Sequence, residues 1–172
     1  MTWTRCSDER LRGCIGSLEA RSIVSGLPQL ALSAARDRRF EPVTLAEVPG
    51  LRCTVSLLCC YEEAASWQDW TVGTHGLIIA FTDPQSGVQR TATYLPEIAR
   101  REGWTQRATV ESLVLKAGYT GALSAALLSS LRVTRYQSSL LTRTYAHYLA
   151  ARQGSESVVV EDAIPARNAC LF

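Results

Sequence analysis

The chain has 172 residues, 47% of them apolar and 20% charged, with a formal net charge of +2 at pH 7. That is the composition of one globular domain, or of one domain with a small lobe, and it excludes a disordered or collagenous chain. The weak charge argues against a nucleic acid or an anionic membrane as the main partner, and no stretch reaches the roughly 18 apolar residues that a spanning helix needs.

Cysteine usage points to a reducing compartment. The cysteines at 6, 14, 53, 59, 60 and 170 form no C-x-x-C pair of the zinc or thioredoxin kind. The first residues lack a charged-then-apolar signal pattern, so the expected setting is cytoplasmic or nuclear with free thiols. Cys170 is third from the end, one place off a prenylation box.

Along the chain, Leu11 to Gly16 alternates and reads as a strand, with Leu11, Gly13 and Ile15 on one side and Arg12, Cys14 and Gly16 on the other. Ser25 to Arg38 has helical spacing through Leu27, Leu30, Ala31, Ala34 and Ala35, with Ser25 as cap and Pro28 in the first turn. Thr44-x-x-Glu47 fits a capping box before a short helix that Pro49-Gly50 ends. Leu51 to Cys60 reads as a strand with Leu51, Cys53, Val55, Leu57 and Cys59 inward. Ser66 to Trp70 is a compact aromatic segment. Gly76 to Thr82 and Val88 to Leu95 form a hairpin across Asp83-Pro84-Gln85-Ser86-Gly87. Helices follow over Pro96 to Arg101, Thr109 to Ala117 and Ala122 to Ser130, then a strand over Leu131 to Gln137 and a helix over Leu140 to Arg152. Residues 153–172 form a tail in which Ser157 to Val160 has the pattern of an edge strand. Hairpin-linked strands mixed with helices imply an α+β fold, an antiparallel sheet flanked by helices with a smaller packed lobe.

Few residues carry obvious chemistry. Cys14 lies between two glycines, with Arg12 on the same strand face roughly 7 Å away. It reads either as a nucleophile whose thiolate the guanidinium stabilises, or as a small residue that lets a helix pack closely. His75, in a loop before a strand, reads either as a base or metal ligand or as a surface or capping group. His147 falls on the exposed side of the last helix. The carboxylates show no pairing for acid-base chemistry. Gly13-x-x-Gly16 is too short for a phosphate loop. No metal site and no cofactor is implied. The cations of Arg36-x-Arg38-Arg39 end a helix, where its dipole favours them.

The hexapeptide Leu11-Arg12-Gly13-Cys14-Ile15-Gly16 resembles the hallmark of the AMMECR domain family, named for the Alport syndrome, mental retardation, midface hypoplasia and elliptocytosis chromosomal region. Similar matches follow in order: Thr2-Trp3, Ser25-Gly26-Leu27, Arg39-Phe40-x-Pro42, Val55-Ser56-Leu57-Leu58 and Asp69-Trp70-x-Val72-Gly73-x-His75-Gly76. They continue with the run Arg90-Thr91-Ala92-Thr93-Tyr94-Leu95-Pro96-Glu97, Gly103-Trp104, Lys116-x-Gly118-Tyr119 and Thr134-Arg135-Tyr136. The resemblance covers residues 2–152 and is of the eukaryotic type. It implies an α+β fold with a larger and a smaller lobe, the hexapeptide near the groove between them, and no assigned activity. It also implies a regulatory role linked to Memo-type or radical-SAM partners. Two departures stand out: the helical segment that precedes Trp3 in the family is missing, which would expose apolar surface and favour homo-oligomers, and Cys59-Cys60 does not match.

Three functions remain open at this level. The first is a binding module in which Arg12, Gly13, Cys14, Ile15 and Gly16, with His75, Tyr94, Pro96 and Glu97, hold a small anionic ligand or a peptide. The second is a cysteine-dependent or redox-linked enzyme or accessory factor using Cys14 with His75. The third is a scaffold for protein or nucleic acid.

Overall fold

The computed structural model describes residues 1–154. Its elements run β1 (Thr2–Arg5), β2 (Leu11–Cys14), α1 (Ile23–Ala35), a 3-10 turn (Val48–Gly50), β3 (Leu51–Glu63), β4 (Gly76–Thr82), β5 (Gln89–Tyr94), α2 (Pro96–Arg101), α3 (Gln106–Lys116), α4 (Ala125–Ser130), β6 (Arg132–Thr144) and α5 (Tyr145–Arg152). The fold is α+β. The strands order as β2-β1-β3-β6-β4-β5, with β1 antiparallel to β2 and β3, and β4 antiparallel to β5 and β6. Two compact units can be distinguished: Met1–Leu57 with the described residues from Ser139 onward, and Leu58–Ser138. Strands β3 and β6 supply residues to both.

In the first unit, β1 is a strand that the sequence reading passed over. It pairs Thr2 with Cys14 and Trp3 with Gly13, and then slips so that Thr4 faces Leu11. Arg12 is the extra residue of this bulge, which breaks the two-residue alternation and re-aims its side chain. The strand expected to reach Gly16 ends at Cys14. Helix α1 begins at Ile23, two residues before the expected start, and this puts Pro28 inside the helix rather than in its first turn. Pro28 leaves the Val24 carbonyl without its helical donor, and Val24 is exposed to water, which lessens the cost.

Helix α1 crosses β2 at Gly13. A Cβ on Gly13 would lie 1.9 Å from the Ala34 carbonyl oxygen, so only a hydrogen fits beneath the helix. The Trp3 indole N–H donates to the Ala31 carbonyl at 3.0 Å one turn away. Among the described residues of this unit, the buried apolar side chains are Ala34 and Leu51, and they share the interior with Arg12 and Asp37.

Two elements differ from the sequence pattern. The helix placed over Leu140 to Arg152 starts only at Tyr145, because Leu140 to Thr144 extend β6. Thr142 and Thr144 are β-branched and favour extended backbone. The hydroxyls of Thr142 and Thr54 meet at 2.9 Å, and Thr144 caps α5 in a reciprocal box with His147. Strand β3 runs on to Glu63, and Leu57, expected inward, is exposed. The expected edge strand at Ser157 to Val160 lies outside the described residues.

The second unit holds the larger apolar core. Leu77, Ile79 and Phe81 alternate along β4 and cluster with Val110, Leu113 and Val114 of α3. The predicted hairpin is present, with Leu77 opposite Tyr94 and Thr82 opposite Gln89. Helix α3 starts at Gln106, earlier than expected, because the Thr105 hydroxyl accepts the Ala108 N–H and serves as its cap. A Cβ on Gly76 would come within 2.5 Å of the Tyr136 ring, which fixes Gly76 beside that buried tyrosine.

The crossing at Gly13 generates a stability prediction. Gly13→Ala forces α1 off β2 and costs at least the upper part of the roughly 1–3 kcal/mol typical of overpacking. Gly16→Ala, with nothing within 4 Å of the new methyl, stays within about 0.5 kcal/mol of the parent. Urea unfolding of the two variants checks this, and equal midpoints would contradict it.

Candidate functional site

The hexapeptide is bound into the first unit residue by residue. Arg12 is only 6% exposed. Its Nε and Nη2 donate to the two carboxylate oxygens of Glu47 at 2.8 and 3.1 Å. Nη1 donates to the Glu41 carbonyl at 2.7 Å and Nη2 to the Pro42 carbonyl at 3.3 Å. Such a fork-on-fork pair is strong and geometrically specific. The Arg12 guanidinium, followed by the Thr44 N–H, brings the Glu47 carboxyl down to about 2. The expectation that Arg12 meets the charge of a ligand therefore encounters a guanidinium already filled by the chain's own loop.

Cys14 is tied through its backbone. Its N–H donates to Asp37 Oδ2 at 2.9 Å, and its Sγ lies 3.4 Å from Thr2 Oγ1. Asp37 is buried at the end of α1 and also accepts from Arg39, by the backbone N–H at 3.1 Å and by Nη2 at 2.6 Å. Arg39 above all, then the Cys14 N–H, holds the Asp37 carboxyl well below the usual range. Asp37 in turn raises Arg39. Asp37, Arg39 and Glu47 are the partners that sequence reasoning did not assign to the site. The available signal was a lone acid inside the basic run Arg36-Asp37-Arg38-Arg39.

Beyond Cys14 the strand opens onto a cleft. It has a volume of about 480 Å³ and is lined by Ile15, Leu32, Ser33, Arg36, Asp37 and Arg38. The Ile15 N–H is bonded to the Met1 carbonyl at 3.0 Å, while Gly16 has open space beside it. Arg36 and Arg38 are exposed, and among the described residues neither makes an ion pair. Since Arg39 neutralises Asp37, the cleft carries a net positive charge.

The remaining predicted residues belong to the second unit. His75 Nδ1 accepts the Thr71 N–H at 3.0 Å, which places the proton of the neutral ring on Nε2. Burial, then the nearby Arg135, pushes the His75 imidazole down, so at neutral pH the ring presents a donor there rather than a free lone pair. Tyr94 is held by Ser112 at 3.0 Å and lies under the Lys116 ammonium. Pro96 opens α2 and Glu97 is the acid of its first turn, a favourable place for a carboxylate. Tyr136 gathers this group: its hydroxyl donates to the Tyr94 carbonyl at 3.1 Å and meets Thr93 Oγ1 at 3.1 Å. The nine predicted residues thus divide between the two units, with Arg12, Gly13, Cys14, Ile15 and Gly16 in one and His75, Tyr94, Pro96 and Glu97 in the other. Among the described residues, no three His, Cys, Asp or Glu side chains are placed to hold a metal ion. Nor is any described helix long and apolar enough to cross a membrane.

Comparison with known proteins adds to this geometry. A family model described as AMMECR1 matches residues 1–141. Uncharacterized protein At2g38710 of Arabidopsis thaliana is 48% identical over 163 residues, covering 92% of this chain and 76% of its own length. Uncharacterized protein C688.03c of Schizosaccharomyces pombe is 41% identical over 143 residues, covering 83% of this chain and 72% of its own. The crystal structure of Uncharacterized Protein PH0010 from Pyrococcus horikoshii is similar at a TM-score of 0.63 and 25% identity, over 83% of this chain and 71% of that one.

The Arg12–Glu47 pair generates a pH dependence with a definite sign. A carboxyl lowered on folding contributes stability that is present above its ordinary value and lost as the pH falls toward its folded value. For Glu47 that window runs from 4.5 down to about 2. Wild type is expected to exceed Glu47→Gln in unfolding free energy by a constant margin from neutral pH to the top of that window. The margin closes as the pH falls through it. Denaturant titrations of both proteins across this range measure the margin, and one that survives at the lower end would refute the assignment.

Proposed function

The chain belongs to the AMMECR1 family, and from that premise we propose that it is a binding module whose cleft takes a small anionic ligand or the acidic end of a peptide. The observation that carries this reading is the cleft at Ile15, where Arg36 and Arg38 project with no ion pair among the described residues. Planar guanidinium forks suit carboxylates and phosphates. The hexapeptide serves this cleft indirectly. Arg12 holds the 41–47 loop, Gly13 admits α1, and the Cys14 N–H fixes Asp37, so the two cations are presented from a rigid edge. In this reading Cys14 positions through its backbone, and its thiol is dispensable. By resemblance, the peptide would come from a Memo-type or radical-SAM partner in a cytoplasmic or nuclear setting.

Inorganic phosphate is the simplest probe. In a titration followed by amide NMR, the Ile15 and Gly16 signals are expected to shift saturably. The double variant Arg36→Ala/Arg38→Ala loses the response, and Cys14→Ser keeps it. A response of equal size to chloride at matched ionic strength, or one unchanged in the double variant, would overturn the proposal.

A further inference from the structure

The first unit contains a second concavity of a different character. It has a volume of about 570 Å³ and is lined by Trp3, Leu45, Val48, Pro49, Leu51, Cys53, Arg143, Thr144, Tyr145 and Tyr148. Ligand sites commonly fall between roughly 300 and 1,000 Å³ and combine apolar walls with a few placed polar groups. We propose that this groove binds a small amphiphilic carboxylate, with its hydrocarbon body between Trp3, Leu45 and Tyr148 and its carboxylate on Arg143.

The walls are held in place before any ligand arrives. The Trp3 indole is anchored on the Ala31 carbonyl at 3.0 Å. The opposite wall is the start of α5, which the Thr144–His147 capping box fixes. That box sets the Tyr145 and Tyr148 rings 5.8 Å apart, one helical turn from each other. Leu51 is buried beneath, while Leu45 is 91% exposed and Tyr148 is 51% exposed. The groove therefore offers apolar area to an occupant without a core residue having to move.

The charge on the lining selects the head group. Among the described residues that line the groove Arg143 is the only charged one; Arg152 lies outside the lining, over the Tyr148 ring at 5.9 Å. Its Nη1 bonds to the carbonyl of its neighbour Thr142 at 3.2 Å, and no described carboxylate pairs with it. The Thr144 hydroxyl is taken by the α5 cap. Cys53 contacts Met1 Sδ at 3.2 Å, and burial pushes its thiol up, so it brings no competing anion. One unpaired guanidinium at the side of an apolar trough is complementary to one carboxylate on an apolar chain.

Decanoate, its neutral counterpart decanol and decyltrimethylammonium distinguish the alternatives by isothermal titration calorimetry at concentrations below micelle formation. Decanoate is expected to bind with one-to-one stoichiometry, and decanol about ten-fold more weakly for want of the charged hydrogen bond. The ammonium compound binds more weakly still. Arg143→Ala brings decanoate to the decanol affinity and leaves decanol unchanged. Leu45→Glu, at a side chain too exposed to support the fold, lowers both. Arg36→Ala/Arg38→Ala leaves decanoate binding intact, so failure of the phosphate cleft and failure of this groove are told apart. Circular dichroism melting shows that each variant is folded. Absence of decanoate binding, a stoichiometry above one, equal affinity for decanoate and decanol, or an Arg143→Ala protein that binds decanoate as wild type does would overturn the proposal.

Discussion

The passage of α1 over Gly13 is the constraint around which the first unit is arranged. With no room for a methyl under Ala34, the helix and β2 are in backbone contact. Once that contact is set, the neighbouring residues have few places to go. Arg12 is pushed out of the ladder by a bulge and reaches the 41–47 loop, while the Cys14 N–H meets the carboxylate at the end of the same helix. Three consecutive residues thus use three different interactions, a bidentate ion pair, a steric absence and a backbone hydrogen bond, to hold one strand to one helix and one loop.

This arrangement changes what the cysteine between two glycines means. A thiol beside an arginine suggests a stabilised thiolate, but the arginine is turned to Glu47 and the backbone of Cys14, rather than its sulfur, makes the charged hydrogen bond. The two glycines also differ from each other. Gly13 is filled by the protein's own helix, whereas Gly16, next to the cleft residue Ile15, has nothing within 4 Å of an added methyl. Close approach by the chain and open space occur three residues apart, the first on β2 and the second just past its end.

Much of the fold was legible where the pattern is strong. The β4–β5 hairpin and the apolar face of α3 follow from alternation and helical spacing, whereas the capping box expected at Thr44 is only half present: Thr44 bonds to Glu47, but Glu47 is the residue that precedes the 3-10 turn. The readings failed where tertiary context outweighs local preference. Strand β1 is too short to show a period and exists because β2 and β3 flank it. Leu140 to Thr144 have helical spacing with Tyr145 but are drawn into β6. Arg12 and Cys14 were placed on one face by alternation, which a bulge invisible in the sequence interrupts. Of the candidate site, the hexapeptide could be identified by its residues. Its partners Asp37 and Glu47 could not, because a backbone hydrogen bond across 23 residues and an ion pair across 35 are not written in local spacing.

The two units also divide the work of cohesion. In the second, alternating apolar residues of β4 close on α3 in a large hydrophobic cluster, and the buried charge is Asp83, held by Arg90 at 2.7 Å. In the first, the described interior holds Ala34 and Leu51 alongside a buried arginine and a buried aspartate, so charged hydrogen bonds do what apolar burial does elsewhere. Arg12 is buried while its partner Glu47 is 32% exposed, and Asp37 is buried while Arg39 is 60% exposed, so removing Glu47 or Arg39 strands a buried charge in a poor solvent. Substitution at Arg12 likewise releases the 41–47 loop from β2. The same economy of apolar burial leaves Leu32 and Leu45 at the surface, each on the wall of a concavity. A polar interior and apolar residues displaced to the rim have one origin, the small number of apolar side chains that this unit buries among its described residues.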